Sequence, residues 1–460
     1  MSMQRGSVHR ERVSDRAAYV VLSVVGALCM AAFLLIRVPR AMRTEASLIS
    51  SDGPGYYVYL RSLVFDGDLD FRNEYGHFDR AVEQTTPTGL LPNQWSVGPA
   101  LLWAPFYLTA HVLSLVARAL GVQATLDGYG YGYESAIAIA TIVYVTAGCL
   151  LVYRACRRYF CQCSSLLAVL GILLASTLLH YTVASPAMSH GVSFFAVALF
   201  LFLWHPPRSR TLGEWAVLGL SAGLMGVVRQ DNLLYLSLLA VEAIQAIAAS
   251  TAGRNRIRTL RAYLGGAVVG AVPALVVLAP QMLAWKTLYG SPIAFTQRAD
   301  FFDWLHPDLV EYLFSPTPGW FTWTPIVLLA AIGLIPLWRR DRRVAVALLI
   351  PLLLVWYIAS TIRVGYRAWD WTYGARIATS AAALLALGLA ALTESLSQRF
   401  RHGFLIMLAA VTALVGWNLP GELQYSLGFI SYGEPLSWSD IVVGKLEMVL
   451  ELLGRLVSRL

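Results

Sequence analysis

Long apolar segments recur along almost the whole chain, and they constrain its fold more than any other feature. They lie at about residues 18–36, 98–117, 134–153, 165–180, 188–204, 215–228, 232–249, 262–284, 322–338, 344–361, 377–393 and 404–418. Charged residues make up only 13% of the 460 residues, against roughly 25% in a soluble domain. A soluble protein of this size could not cover its surface with so few charges. We therefore expect an all-α polytopic membrane protein.

Basic residues decide how many of these segments span the membrane. If 98–117 crosses, the short loops around Arg154, Arg254 and Arg339 all fall outside, against the positive-inside rule. If 98–117 instead lies on the outer face or dips into it, all three loops are cytoplasmic. The prolines of this segment also suit an interfacial or re-entrant helix. We therefore predict about eleven transmembrane helices and a long external first loop, residues 37–133, that bears membrane-lying helices.

This topology divides the chain into three parts. Residues 1–17 form a basic cytoplasmic tail without a signal for cleavage, and residues 18–418 form the transmembrane domain. Residues 419–460 form an external segment whose amphipathic helix, from about residue 444, is expected on the outer membrane surface. The net charge of +8 follows from basic residues that flank spans, so we expect no nucleic-acid partner.

Asp52 is the first candidate for catalysis. It follows the first span closely, and a Gly-Pro-Gly turn at 53–55 holds it near the bilayer surface. A short amphipathic helix is predicted from Tyr56 to Phe65. A carboxylate at the membrane edge, in an aromatic-lined turn, can act as a general base. The alternative is that Asp52 only caps the following helix, since aspartate is a favoured N-cap residue.

Further acids in the first loop indicate a turn rather than a metal site. Asp66, Asp68 and Asp70 alternate as in a calcium loop, but the glycine and the final glutamate of an EF-hand are missing. Hydrogen bonds from the aspartate side chains to the turn are the predicted role. Three cysteines between 156 and 163 have no fourth ligand nearby, so no metal site is predicted there either.

Basic residues at the external ends of spans form a candidate anion site. Together with Tyr56 we treat them as substrate- and phosphate-binding candidates: His190, Arg229, Lys286, Arg363, Arg367 and Arg376. If they converge on one cavity they would suit an anionic headgroup, because arginine binds phosphate bidentately. Taken singly, each could instead reach lipid headgroups or pair with a nearby acid, as Arg229 with Asp231.

The whole pattern resembles the GT-C class of integral membrane glycosyltransferases. An acid just after the first span, a long external first loop and short basic inside loops carry the resemblance, best over residues 18–290. The similarity is to bacterial relatives of the protein O-mannosyltransferases and of the aminoarabinose transferase that modifies lipid A. Two later segments, SPTPGWFTWTP (315–325) and GYRAWDWTYGAR (365–376), are similar to blocks of uncharacterised bacterial relatives.

The resemblance implies an inverting transfer of a sugar from a polyprenyl-phosphate donor to a hydroxyl of a protein or glycolipid. It places the reaction on the periplasmic face of the bacterial inner membrane, with Asp52 as the catalytic carboxylate. Gly53 stands where many relatives have a second acid, and Ser189 and His190 lie in a segment where some relatives have an aspartate. The second carboxylate is therefore open, with His190 as one candidate. A divalent metal near Asp52 stays an alternative that we expect not to be essential.

Two other functions remain alternatives. A transporter or flippase of lipid-linked substrates would show ionisable residues at mid-membrane and often repeats. Glu242 is the one acid well inside a predicted span, towards the cytoplasmic end. An enzyme like the O-antigen ligases or polymerases would carry its large external loops late in the chain. The sequence contains no Walker A or GxGxxG motif.

Overall fold

The structure is a computed structural model that describes residues 2–82, 84–204, 209–250, 253–297, 300–317, 319–363, 372–430 and 435–457, with side chains from residue 15 to residue 455. Its α-helices are α1 (Ser2–Ala32), α2 (Val38–Thr44), α3 (Gly53–Arg61), α4 (Arg72–His77), α5 (Gly98–Ala119), α6 (Tyr131–Cys156), α7 (Gln162–Leu174), α8 (Thr177–Val183), α9 (Ser189–Trp204), α10 (Leu212–Val228), α11 (Ser237–Ala249), α12 (Gly253–Tyr289), α13 (Leu309–Phe314), α14 (Trp320–Trp323), α15 (Ile326–Ile332), α16 (Leu334–Arg340), α17 (Arg342–Ser360), α18 (Ala382–Arg399), α19 (Gly403–Ser426) and α20 (Trp438–Val457). Two π-helical turns, Phe33–Arg37 and Ser62–Asp66, and two 3₁₀ turns, Gln230–Leu236 and Arg376–Ala381, complete the helical elements. The prediction of an all-α chain is confirmed.

Eight of the described helices are long and apolar enough to cross a membrane, and the bent pair α7 and α8 would add a ninth span. The chain is therefore a polytopic membrane protein, as predicted. Helices α9 and α10 are shorter but also apolar. Helix α5 is among the eight and is one continuous helix of 22 residues. Its placement at the outer face, and with it the number of eleven spans, stays a prediction.

The described residues fall into two compact units, each built from separate stretches of chain. Unit 1 comprises Met1–Leu22, Cys149–His180 and Ala299–Leu460, and unit 2 comprises Ser23–Gly148 and Tyr181–Arg298. The three-part division made from the sequence stays a prediction.

Glycines set the helix packing of unit 2. A Cβ built on Gly219 of α10 would lie 2.0 Å from the carbonyl oxygen of Gly270 in α12. One built on Gly266 would lie 2.1 Å from the ring of Trp215. Close approach through small residues is how helices associate where there is no water to drive apolar contact. A capping box between Thr211 and Glu214 begins α10.

A buried ion pair of unit 2 connects α11 and α12 with the loop just before α10. Arg210 donates to both oxygens of Glu242 at 2.7 and 2.8 Å, and the two side chains are 4% and 3% exposed. Tyr263 donates to the same carboxylate at 2.8 Å, and the Arg210 guanidinium lies 5.1 Å from the Trp215 ring centre. The carboxylate is therefore paired and hydrogen-bonded, as a buried charge must be.

A bend between α7 and α8 is the main irregularity of unit 1. The two helices meet at 65°, which removes helical partners from carbonyls at the break. Asn418 of α19 donates to the carbonyls of Leu174 and Ser176 at 3.0 and 3.1 Å and so replaces those partners. Beyond the bend, His180 contacts the carboxylate of Glu422 at 2.9 Å.

The last helix, α20, covers most of the segment in which the sequence predicts an amphipathic helix. Its exposed apolar side chains include Leu446, Leu450 and Leu453, whereas Ile441 and Met448 are buried. Its position on the outer membrane surface stays a prediction.

Candidate active site

The loop that leads to Asp52 is fixed by a buried carboxylate of unit 2. Glu134, in the first turn of α6, accepts hydrogen bonds from the Leu48 amide at 2.6 Å and from the Ser47 hydroxyl at 2.9 Å. The Ser47 hydroxyl also contacts the backbone of Ile49. The chain between α2 and α3 is therefore tied to α6 just before it reaches Asp52.

Asp52 occupies the N-cap position of α3 without capping it. Its carboxylate makes no capping hydrogen bond, so the capping alternative is wrong. Proline at position 54, in the first turn of α3, removes one of the amides that a cap would satisfy. The half-buried carboxylate is thus not used to begin the helix.

The helix that the sequence predicted from Tyr56 to Phe65 is present as α3 and the π-helical turn that follows it, but the part in α3 is buried instead of amphipathic. Helix α3 begins at Gly53, three residues before Tyr56, and residues 53–60 are all buried. The reason is the aromatic packing around it. A Cβ built on Gly55 would lie 2.2 Å from the ring of Trp95, so only glycine allows this contact.

A chain of hydrogen bonds connects α3 with the turn after α10. Ser189, at the start of α9, donates to the Tyr56 hydroxyl oxygen at 2.9 Å. The same hydroxyl of Ser189 accepts from Nη1 of Arg229 at 3.2 Å. Ser189 and Tyr56 are both buried. The structure thus brings two predicted site residues, Tyr56 and Arg229, into one network.

Arg229 stands within the electrostatic field of two carboxylates. Its Nε and Nη2 contact Asp231 at 3.0 and 2.8 Å, so the predicted pairing of these residues is confirmed. Burial opposes the charge of Arg229, but Asp231, Tyr56 and Asp52 together raise the pKa of the guanidinium above its ordinary value. Arg229 is therefore a permanent cation beside Asp52.

A second cation, Arg80 of the first loop, contacts the residue that precedes Asp52. Its Nη2 donates to the carbonyl oxygen of Ser51 at 3.2 Å, and its guanidinium lies 4.2 Å from the ring centre of Trp95. Its Nη1 is buried and has no hydrogen-bond partner among the described residues. Trp95 also meets the Tyr56 ring edge-on at 6.4 Å. A donor left unpaired in this position can serve a ligand.

The acids after α3 form a network that holds the first loop together. Arg61 contacts the carboxylates of Asp66 and Glu74, and Asn73 donates to Asp66 at 2.6 Å. Burial raises the pKa of Glu74 to about 7, against the lowering effect of Arg61. Asp68 accepts from the amide of Asp70 at 3.0 Å and from the hydroxyl of Ser62 at 2.9 Å. The predicted turn with aspartate side-chain hydrogen bonds is confirmed.

The other predicted site residues are placed as follows. His190 is buried, and its ring centre lies 4.5 Å from that of Tyr181. Lys286 is exposed in the last turn of α12. Both belong to unit 2. Their roles in substrate binding stay predictions.

Two of the predicted arginines lie in unit 1. Arg363 pairs with Asp303 at 2.6 Å and donates to the carbonyl oxygen of His306 at 3.0 Å. Arg376 is half-buried at the start of a 3₁₀ turn. Arg367 lies outside the described residues. The convergence of these three cations with Asp52 stays a prediction.

The sequence gives no signal for Arg80 or Trp95, and it marks Ser189 only as part of a segment where some relatives have an aspartate. Arg80 lies mid-loop, where an arginine usually meets solvent or an acid. Among the described residues, no group of three or more His, Cys, Asp or Glu side chains could hold a metal ion.

Comparison with solved structures identifies the fold. The crystal structure of ArnT from Cupriavidus metallidurans bound to undecaprenyl phosphate aligns over 96% of this chain and 71% of its own, with a TM-score of 0.51 and 18% identity. The apo oligosaccharyltransferase of Archaeoglobus fulgidus aligns over 91% of this chain and 61% of its own, with a TM-score of 0.48 and 14% identity. No protein-family model matches the chain, and no curated protein sequence does. The ArnT alignment shows that the chain has the fold of the GT-C class, as the resemblance implied.

Proposed function

We propose that this protein transfers a sugar from a polyprenyl-phosphate-linked donor to an acceptor hydroxyl, with inversion at the anomeric carbon. One observation carries the proposal: in a GT-C fold, Arg229 interacts electrostatically with the half-buried Asp52, and Arg80 donates to the carbonyl oxygen of Ser51, the residue before Asp52. The ArnT structure with this fold contains undecaprenyl phosphate, which supports a lipid phosphate as the ligand of those cations.

The proposed reaction needs one base and one anion site. Asp52 takes the proton of the acceptor hydroxyl, whose oxygen attacks the anomeric carbon from the face opposite the phosphate. The bond between that carbon and the phosphate oxygen breaks, and the polyprenyl phosphate leaves with the electron pair. Arg229 and Arg80 stabilise the charge that develops on the phosphate. A phosphate leaving group needs little protonation, so a separate general acid is not required.

The side of the membrane and the acceptor belong to the same proposal. Asp52, Arg80 and Trp95 lie in the predicted external first loop, on the face opposite the arginine-rich loops that the positive-inside rule puts in the cytoplasm. We propose that the site faces the periplasm of a bacterial inner membrane and that the acceptor is a protein or a glycolipid. Lys286, Arg363 and Arg376 are further candidates for binding the donor.

The transporter alternative has less support. Glu242, the acid inside a predicted span, is paired with Arg210 and hydrogen-bonded by Tyr263. A carboxylate engaged in this way is suited to holding helices together rather than to binding and releasing a coupling ion. An enzyme like the O-antigen ligases is also less supported, because the candidate base lies in the first loop.

Loss of a single carboxylate tests the proposal. The purified protein in detergent is incubated with sugar-linked undecaprenyl phosphate and candidate acceptors, and released undecaprenyl phosphate is measured by mass spectrometry. We expect Asp52→Asn to abolish release. The matched control is Asp70→Asn, in the same loop, where the acid contacts the exposed Arg72. Full release by a folded Asp52→Asn protein would overturn the assignment of Asp52 as the base.

A further inference from the structure

We infer that Asp231 is a positioning residue of the Asp52 site: it fixes Arg229 in place and neutralises part of its charge. It thereby acts as the site's second carboxylate, which the sequence left open. The catalytic role of Asp231 rests on the proposed function. Its effect on the charge near position 52 can be tested without any substrate.

The backbone of the turn that carries both residues is fixed. The Arg229 amide donates to the carbonyl oxygen of Met225 at 3.0 Å, and the Asn232 amide donates to that of Arg229 at 3.1 Å. The buried Asn232 side chain donates to Met225 at 3.1 Å and accepts from Ser193 at 3.0 Å. Asp231 is therefore presented to Arg229 by a turn that is itself anchored to α9 and α10.

The guanidinium of Arg229 is held on two sides. The carboxylate of Asp231 accepts hydrogen bonds from Nε and Nη2. This is the side-on bidentate arrangement of a strong arginine–carboxylate pair. The Ser189 hydroxyl accepts a hydrogen bond from Nη1 and donates one to Tyr56, so it connects the guanidinium to α3. With these contacts made, the guanidinium cannot rotate away from the start of α3. Ser189 alone, through one hydrogen bond of 3.2 Å, would hold it only weakly.

The pairing also decides how strongly Arg229 acts on Asp52. Asp231 contacts this guanidinium directly, and the charges of Tyr56 and Asp52 also act on it. A cation whose charge no neighbouring carboxylate offsets weakens a nearby general base, because it stabilises the charged form of that base. Asp231 offsets part of the charge of Arg229 and so reduces this effect. The pair thus keeps a cation available for phosphate with less effect on the proposed base.

The pKa of a cysteine thiol placed at position 52 measures the electrostatic effect of the surrounding charges. The test protein carries Asp52→Cys together with Cys161→Ser and Cys163→Ser, because these two native cysteines are exposed and the other three are buried. The thiol pKa is read from the pH dependence of iodoacetamide alkylation of the full-length protein. We expect Asp231→Asn to lower this pKa by about one unit, because asparagine can still hold Arg229 but no longer offsets its charge. Arg229→Gln should raise it by about as much.

Two controls make the result decisive. Asp70→Asn should leave the thiol pKa unchanged, and Asp231→Ala should shift it less than Asp231→Asn, because alanine also releases Arg229. An unchanged or raised thiol pKa in the Asp231→Asn protein would overturn the inference.

Kinetic measurements of sugar transfer distinguish a failure of this inference from a failure of the proposed function. In the native Asp52 background, Asp231→Asn should move the acidic limb of the kcat/KM profile to lower pH by a similar amount and should lower kcat. If the thiol pKa shifts as expected but the wild-type protein transfers no sugar from any lipid phosphate, the proposed function fails and the positioning role stands. If the wild type is active and neither the thiol nor the pH profile shifts, the positioning role alone fails.

Discussion

Glu134 accepts a hydrogen bond from the backbone amide of Leu48 at 2.6 Å, across 86 positions of sequence. This contact joins the first turn of α6 to the loop that presents Asp52. The buried carboxylate thus holds the loop that leads to Asp52, although Glu134 is not itself a candidate site residue.

Removing the Glu134 carboxylate should impair catalysis more than donor binding. Glu134→Ala leaves the buried Leu48 amide unpaired, at a cost of about 1–3 kcal/mol, and frees the loop before Asp52. A displacement of about 1 Å at the base can reduce the rate on the order of 100-fold. We expect kcat to fall strongly with a small change in KM for the lipid donor. Glu134→Gln keeps an acceptor oxygen and should retain most activity. A wild-type kcat in Glu134→Ala would contradict this role.

Arg80 should contribute mainly to donor affinity. Arg80→Gln removes a cation whose Nη1 has no hydrogen-bond partner among the described residues. Loss of a charge-assisted hydrogen bond of about 1.5–3 kcal/mol should weaken inhibition by free undecaprenyl phosphate by roughly ten- to a hundredfold. Arg72→Gln, at an exposed arginine of the same loop, is the matched control. Equal inhibition constants in the two variants would refute the assignment of Arg80.

The buried ion pair of unit 2 should matter for stability. Glu242→Gln leaves the Arg210 charge buried and uncompensated, which typically costs about 3–5 kcal/mol. We expect a clear fall in the thermal unfolding midpoint of the detergent-solubilised protein. Asp70→Asn breaks an exposed pair with Arg72 and should leave the midpoint nearly unchanged. A stable Glu242→Gln protein with lost activity would instead favour the transporter alternative.

Glu74 should make the first loop less stable as the pH rises towards neutrality. Its pKa is raised from 4.5 to about 7 by burial, so between these values the folded protein binds more protons than the unfolded chain. The free energy of unfolding therefore decreases with increasing pH across this window and levels off above it. Unfolding midpoints measured from pH 5 to pH 8 should show this slope. Glu74→Gln should flatten it, and an unchanged slope would exclude Glu74 as its source.

The native cysteines test the predicted orientation. Cys161 and Cys163 are exposed, and the sequence places their loop in the cytoplasm. A membrane-impermeant maleimide should leave them unlabelled in intact spheroplasts and label them after permeabilisation. Asp79→Cys, at an exposed position of the first loop, should be labelled in both cases. Labelling of Cys161 in intact spheroplasts would reverse the topology.

Part of the site was visible in the sequence because it depends on residues that are close along the chain. Asp52 stands out next to its Gly-Pro-Gly turn, and Arg229 and Asp231 are two positions apart, so their pairing could be predicted. The burial of α3 could not be predicted in the same way. It depends on Trp95, which is distant in sequence and packs against Gly55.

The sequence by itself determined the all-α membrane fold. It also predicted an external first loop and named the acid and one arginine of the candidate site. These follow from local composition, because a lipid environment demands helices of a given length and places charges at their ends. Only the tertiary structure decided that Ser189 connects Tyr56 to Arg229, and that Arg80 contacts both Trp95 and the backbone of Ser51. Such contacts join segments far apart in the chain. They arise from the packing of whole helices, which no local pattern of residues specifies.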